Sequence, residues 1–217
     1  MILKPRTTCR ICNSTQLSTI MSLGQQHIAA YTPRDSDPNP VLDKFPLELI
    51  RCTEPDCGLV QLRHSTPSDI LYERYFYRSG INKTMTKNLK EITIQAISKV
   101  ELHDNDIVLD IGCNDGTLLK NYQGKNLRAV GIDPAKNMAE FSRECGADII
   151  VDYFNSKLFI NNYGDEKAKI ITSISMFYDL EDPNEFVSDI VNILAKDGVW
   201  VIELKYLPTM IFQNAFD

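Results

Sequence analysis

Val108-Leu109-Asp110-Ile111-Gly112-Cys113-Asn114-Asp115-Gly116 runs a short apolar strand into a glycine turn, with a helix expected beyond it. Gly112 and Gly116 allow the backbone to approach a ligand where a side chain would collide. Further on, Val130-Gly131-Ile132-Asp133 closes a second apolar strand with a carboxylate. An acid in that place can accept hydrogen bonds from the two hydroxyls of a ribose. Few arrangements other than a nucleotide-binding α/β sheet use a glycine turn and a distal acid together.

Two cofactor classes use such a turn. A dinucleotide fingerprint requires Gly-x-Gly-x-x-Gly, so that a pyrophosphate can rest on the helix N-terminus. Here Asn114 stands where the second glycine belongs, and the third is out of register. Asp110 and Asp115 are also poor neighbours for a pyrophosphate. A sulfonium amino-acid cofactor has no phosphate and carries positive charge, which carboxylates suit. The charge argument favours S-adenosylmethionine over NAD. A tight turn in a ligand-free domain is the plain alternative, but it leaves the acid at the second strand end unexplained.

The remaining pattern fits that reading. From Asp106 onward, strands and helices alternate. Strands are expected over Ile107–Ile111, Leu127–Ile132, Asp148–Val151, Lys169–Ser175 and Val199–Leu204. Ala135–Cys145 reads as a helix with Gly146 as its cap. Asp182, Pro183 and Glu185 open another, whose buried face is expected to be Phe186, Val187, Ile190, Val191 and Leu194. Alternation of this kind implies a parallel sheet covered on both faces, with strand order 3-2-1-4-5. The last strand is expected to have no outer partner within the chain. Upstream, Met85, Leu89, Ile92, Ala96 and Val100 recur at helical steps, giving a helix from about Thr84 to Leu102. Before residue 66 the chain is rich in Cys, Pro, Asp and Thr, and Tyr31–Asp43, with Pro33, Pro38 and Pro40, reads as loop.

Four of the six cysteines form two close pairs, Cys9-x-x-Cys12 and Cys52-x4-Cys57. Two such pairs supply the four soft donors of a tetrahedral zinc site. Gly58 follows the second pair, where a tight turn is expected. Buried or free thiols are the bland alternative, and two pairs within one small region weigh against it. With no fifth donor near, the zinc is expected to be structural, stapling a region poor in apolar residues. Cys113 and Cys145 fall outside the pattern and are expected to pack.

No apolar run approaches the ~20 residues of a membrane helix, and the N-terminus lacks a signal-peptide core, so a cytoplasmic protein is expected. The formal net charge of -6 argues against a nucleic-acid partner. Lys4, Arg6, Arg10, Arg51 and Arg63 near the cysteines are offset by Asp35, Asp37, Asp43, Glu48, Glu54 and Asp56. His27, His64 and His103 are scattered and read as surface or packing residues.

Taken together, these residues resemble the sugar C-methyltransferase family, enzymes that methylate a carbon of a nucleotide-linked keto-deoxysugar. The resemblance is carried by the paired cysteines, Ser22-Leu23-Gly24-Gln25, Phe45-Pro46-Leu47, Cys57 to Leu62, Tyr75-Phe76-Tyr77-Arg78-Ser79-Gly80, Val108 to Leu119 and Gly198 to Leu207. It implies a class I methyltransferase fold with a small zinc-binding module. It implies that Asp110, Gly112, Asn114 and Gly116 line the methionyl and ribose part of S-adenosylmethionine, that Asp133 holds the ribose, and that Asp152-Tyr153-Phe154 flanks the adenine. Ser175 falls beside the cofactor, and Tyr75 and Tyr77 in the stretch facing the active site. Where the family carries Asn and then His after the fourth strand, this chain has Ser173-Ile174-Ser175-Met176-Phe177-Tyr178. In the family the catalytic base comes from a segment with Tyr, Glu and His, which would follow the position of Phe216-Asp217.

The expected organisation is a zinc-binding module over 1–65, a helical connector over 66–104 and the cofactor-binding domain over 105–217, incomplete at its C-terminus. The expected activity is methyl transfer to carbon through an enolate, on a small-molecule substrate. A fragment that binds S-adenosylmethionine without turnover, or a methyltransferase for another small molecule, is the rival reading. A zinc-ribbon nucleic-acid module ranks last.

Overall fold

The computed structural model describes residues 3–28 and 43–215. They form two compact units, one running through Phe76 and taking in Glu181–Asn184, the other comprising Tyr77–Leu180 and the residues from Glu185 onward. Most of the Tyr31–Asp43 loop lies outside the described residues.

The first unit holds a small antiparallel sheet that periodicity did not disclose: β1 (Leu17–Gln26), β2 (Phe45–Cys52) and β3 (Val60–Leu62), in that order. β1 is interrupted by register shifts between Thr19 and Met21 and between Ser22 and Gln25, which blurs the two-residue alternation of a regular strand. The buried apolar residues of this unit among those described are Cys9, Phe45, Ile50 and Cys52. Half of that core is cysteine, too little apolar surface to offset the chain entropy of folding without a staple. A short helix, α1 (Ser68–Tyr72), follows.

The second unit opens with α2 (Lys83–Ile97). Asn82 caps it, its side-chain oxygen accepting the N–H groups of Thr84 and Met85. The helix ends five residues before the expected Leu102. The sheet follows: β4 (Ile107–Ile111), β5 (Arg128–Ile132), β6 (Asp148–Ile150), β7 (Ala168–Ile174) and β8 (Leu194–Glu203). All its pairings are parallel and the spatial order is β6-β5-β4-β7-β8, the expected 3-2-1-4-5. Among the described residues β8 pairs with β7 and has no strand on its outer side.

β4 is buried along its whole length and serves two cores, as the alternation of a strand requires. Ile107, Leu109 and Ile111 meet Phe159 of α4 (Ser156–Tyr163) and Phe186, Ile190 and Ile193 of α5 (Pro183–Ile193). Val108 faces Leu89 and Ala96 of α2 together with Leu119 and Tyr122. Cys113 and Cys145 are buried in this second core, as expected of packing residues.

Four expectations are corrected. The expected buried face of α5 included Val187 and Val191, yet these are 36% and 69% exposed. The stripe that packs is Phe186, Ile190 and Ile193, one helical face at steps of four and three. α5 also stops at Ile193, because Leu194 already pairs with Ala168; the register then skips until Val199 lies opposite Ile170. Of the helix expected over Ala135–Cys145 only α3 (Ala139–Arg143) is α-helical. Ala135 to Met138 makes a turn instead, its carbonyl taking the Met138 N–H at 2.9 Å. Finally, no α-helix follows the glycine turn. Asn114 (φ +50) and Gly116 (φ +74) interrupt helical geometry, and only a 3-10 turn forms over Leu119–Tyr122.

No helix among the described residues is long and apolar enough to cross a membrane. The last helix, α6 (Leu207–Gln213), exposes Ile211 and Phe212.

Candidate functional site

The cysteine module is built from two turns. In the first, the Asn13 N–H returns to the Cys9 carbonyl at 3.0 Å, with Asn13 at φ +59. In the second, the Cys57 N–H returns to the Glu54 carbonyl at 3.1 Å, and Gly58 at φ +65 follows where the turn was expected. Placed on β2 beside the first turn, Cys52 completes a set of four sulfur atoms within 4.8 Å of one another. The close contacts run across the pairs, Cys9 to Cys57 at 3.7 Å and Cys12 to Cys52 at 3.6 Å. Zinc bonded to sulfur at ~2.3 Å in a tetrahedron sets its ligands ~3.8 Å apart, so the cage has the size of the ion. Burial acts to raise the Cys9 thiol, but the N–H groups of Cys12 and Ile11 and the Gln61 side chain outweigh it and bring it down to about 6. Burial pushes Cys52 up to about 12. A divalent cation resolves that conflict by holding all four as thiolates.

The glycine turn lies at the carboxyl ends of β4 and β5, beside the point where strand order reverses between β4 and β7. Ligands of open α/β sheets bind at such a point. Asp110, on β4, is buried and accepts the Thr172 hydroxyl at 2.6 Å. Burial pushes its carboxyl up to about 7, with Asp133 adding to the rise and Thr172 opposing it. Asp133 accepts two backbone N–H groups, Asn114 on one oxygen and Ala135 on the other, each at 2.8 Å. Burial raises this carboxyl too, against those two hydrogen bonds. Each oxygen of Asp133 keeps a second acceptor position for a hydroxyl. Gly112 and Gly116 have φ +75 and +74. A Cβ on Gly116 would stand 2.9 Å from Cys145 Sγ and 3.1 Å from the Ser142 carbonyl, so the turn is pressed onto the segment that carries α3. Asp110, buried, and Asp133, half-buried, put two carboxyls beside a glycine turn, a poor host for a pyrophosphate and a good one for a cationic ligand, whose charge would favour their ionised forms.

The raised Asp110 pKa has a stability consequence. An unfolded Asp titrates near 3.9, so between about pH 4 and 7 the folded chain holds a proton that the unfolded chain has released. Stability from this group therefore falls as pH rises through that window, by up to ~1.4 kcal/mol per pH unit, and the penalty is complete above about 7. Asp110→Asn is expected to flatten the decline in melting temperature between pH 5 and 7. Parallel melting profiles for the two proteins would contradict the assignment.

The structure brings Asp110, Gly112, Asn114, Gly116 and Asp133 together in the second unit. Ser175 follows β7 at φ +53, its N–H held by the Glu203 carbonyl at 2.9 Å. Asp152 and Tyr153 follow β6 and are exposed. Phe154 instead turns inward, its ring 5.2 Å from Phe186. Tyr77 belongs to the second unit, and its carbonyl accepts from Asn114. Tyr75 belongs to the first, its ring 6.1 Å from Tyr72 and 5.4 Å from Phe76.

Residues 72–209, more than half of the chain, match the family model described as "Methyltransferase domain". The chain belongs to this methyltransferase family. Residues 9–72 match a second model, described as "Putative zinc binding domain". S-adenosylmethionine is the cofactor of this methyltransferase domain, and zinc the metal of the cysteine module. The methyltransferase chain is 26% identical over 219 residues to the C-methyltransferase NovU of Streptomyces niveus, covering 100% of this chain and 51% of that protein. It is 33% identical over 61 residues to the uncharacterized methyltransferase C70.08c of Schizosaccharomyces pombe, covering 28% of this chain and 24% of the relative. The chain thus spans about half the length of NovU, and less of the second relative. Among solved structures it is similar to the plantazolicin methyltransferase BpumL with SAH (TM-score 0.49, 18% identity, 62% of this chain and 52% of that chain). It is also similar to the cyclopropane synthase MmaA2 of Mycobacterium tuberculosis (TM-score 0.46, 18% identity, 61% of this chain and 48% of that chain).

Two residues important to this methyltransferase were not read from the sequence. Thr172 holds Asp110; the register of β4 and β7 places the two opposite each other. Gln61, buried on β3, donates to Cys9 Sγ at 3.4 Å and accepts the Arg10 N–H at 3.2 Å. The signal for Gln61 was a polar residue between apolar Val60 and Leu62, directly after the second cysteine pair.

Proposed function

We propose that the protein to which this chain belongs methylates carbon in a keto-deoxysugar linked to a nucleotide, in the cytoplasm, without a nucleic-acid partner. The observation that carries the reading is the pair of acids flanking the glycine turn, Asp110 buried and Asp133 half-buried. The likeness to NovU, a C-methyltransferase, supports carbon as the acceptor.

When bound, S-adenosylmethionine supplies an electrophilic methyl group on a positively charged sulfur. The chain's own residues do the holding. Asp133 accepts the ribose hydroxyls. Gly112 and Gly116 let the main chain approach, and Asp110 sits near the methionyl end, where a cation would favour its ionised form. Asp152 and Tyr153 border the adenine, and Ser175 borders the cofactor from the end of β7. In the substrate, a proton next to the ketone is acidic; its removal gives an enolate whose carbon attacks the methyl group in line. Tyr75 and Tyr77 are the candidates for handling protons around the enolate oxygen. Orientation within the site supplies much of the rate.

The test is methyl transfer from labelled S-adenosylmethionine to nucleotide-linked keto-deoxysugars, by this chain and by the full-length protein. A product heavier by one methylene, with the label on carbon, is the expected result for the full-length protein. Label on oxygen, or on no sugar at all, would overturn the substrate reading. Cofactor binding without turnover by this chain would mark it as a binding fragment.

A further inference from the structure

Asn114 and Asp115 occupy the centre of the cofactor turn, yet their side chains face another segment. Asn114 Nδ2 donates to the Tyr77 carbonyl at 2.9 Å, and its Oδ1 accepts the Ser79 N–H at 3.0 Å. Next to it, Asp115 is buried and accepts the Gly80 N–H at 2.9 Å on Oδ2. Its other oxygen takes the N–H and hydroxyl of Thr117 at 3.2 and 2.6 Å. The Arg78 guanidinium lies 3.7 Å from Asp115 and stacks 3.6 Å over the Phe141 ring of α3. Gly80 is pressed close: a Cβ there would stand 2.8 Å from Thr117 Oγ1 and 2.9 Å from Asp115 Oδ2. Tyr77–Gly80 is thus a strap fastened across the turn and leading into α2.

The Asn114 main chain faces the other way, its N–H donating to Asp133. One residue therefore links the acid at the end of β5 to the strap. Both ends of the side-chain amide are engaged by the strap.

We infer that Asn114 is a positioning residue, coupling cofactor binding at Asp133 to the docking of the Tyr77–Gly80 strap. This rests on the reading of Asp133 and Gly112–Gly116 as the S-adenosylmethionine turn. Loading Asp133 tightens the Asn114 main chain, and through its amide the strap that carries Tyr77. Linkage makes the effect reciprocal, so a docked strap favours the cofactor.

Asn114→Gly separates the two functions. Glycine accepts φ +50 and keeps the N–H for Asp133, but loses both bonds to the strap. Hydrogen–deuterium exchange at the Ser79 and Gly80 amides reads the outcome, with α2 amides as control. Without cofactor, Ser79 exchange is expected to be several-fold faster in Asn114→Gly than in the wild type, the size of one lost neutral hydrogen bond. With saturating S-adenosylmethionine, both strap amides slow in the wild type and change less in the variant. Equal Ser79 exchange in the two proteins, or unchanged wild-type strap exchange while calorimetry shows the cofactor bound, overturns the inference. Absence of any cofactor binding in calorimetry instead overturns the S-adenosylmethionine reading, and with it the coupling, while the cofactor-free comparison still decides the staple.

Discussion

The purified chain is expected to carry one zinc ion, and Cys52→Ser to lose both the ion and the fold of the first unit. Cys52 is fully buried and its N–H is tied to the Leu59 carbonyl, so the substitution cannot be absorbed at the surface. Structural zinc contributes an apparent ~10–16 kcal/mol, as much as the entire stability of a typical domain. Among the described residues, the buried apolar residues of the first unit are two cysteines, one phenylalanine and one isoleucine, too small a core to replace the ion. Hydrogen exchange should therefore show β1 to β3 unprotected in Cys52→Ser and in chelated wild type, with β4 to β8 still protected. Elemental analysis near zero after gentle purification, with no uptake of added zinc, would contradict the metal assignment. Protected β2 amides in the metal-free chain would contradict its structural role.

The second large effect falls on cofactor affinity. Asp133→Ala removes the carboxylate proposed for the ribose and also the acceptor of the Asn114 and Ala135 N–H groups. A charge-assisted hydrogen bond is worth ~1.5–3 kcal/mol, a tenfold to hundredfold change in affinity. Loss of the turn's anchor adds to this, so the upper end of that range is expected. Asp104→Ala, at an exposed position, serves as control. Calorimetry showing equal affinity for the two variants would remove Asp133 from the site.

What could be read in advance, and what could not, follows from the range of the forces involved. β4, β5 and β7 are largely apolar because both of their faces are covered, and such runs are visible in one dimension. The four cysteines are visible because metal geometry demands paired donors. The failures have other causes. β1 is exposed along nearly all its length and broken by irregular register, so it carries no two-residue alternation to detect. Val187 and Val191 are apolar but exposed, and a face predicted from apolar character alone includes them wrongly. The turn at Asn114 to Leu118 stays non-helical because positive φ at Asn114 and Gly116 and the Asp115–Thr117 bonds hold it so. In the site, the two acids were legible from strand ends. The partners of Asn114 and Asp115 were not, because they lie 35 to 37 residues away and the contacts go to main-chain atoms that any sequence possesses.

The central claim is that the turn between β4 and β5 binds S-adenosylmethionine and not a dinucleotide. Equilibrium titration of the zinc-loaded chain with S-adenosylmethionine and, separately, with NAD tests it most directly. One S-adenosylmethionine per chain, with no saturable binding of NAD, is the expected result. Saturation by NAD with no heat from S-adenosylmethionine would contradict it.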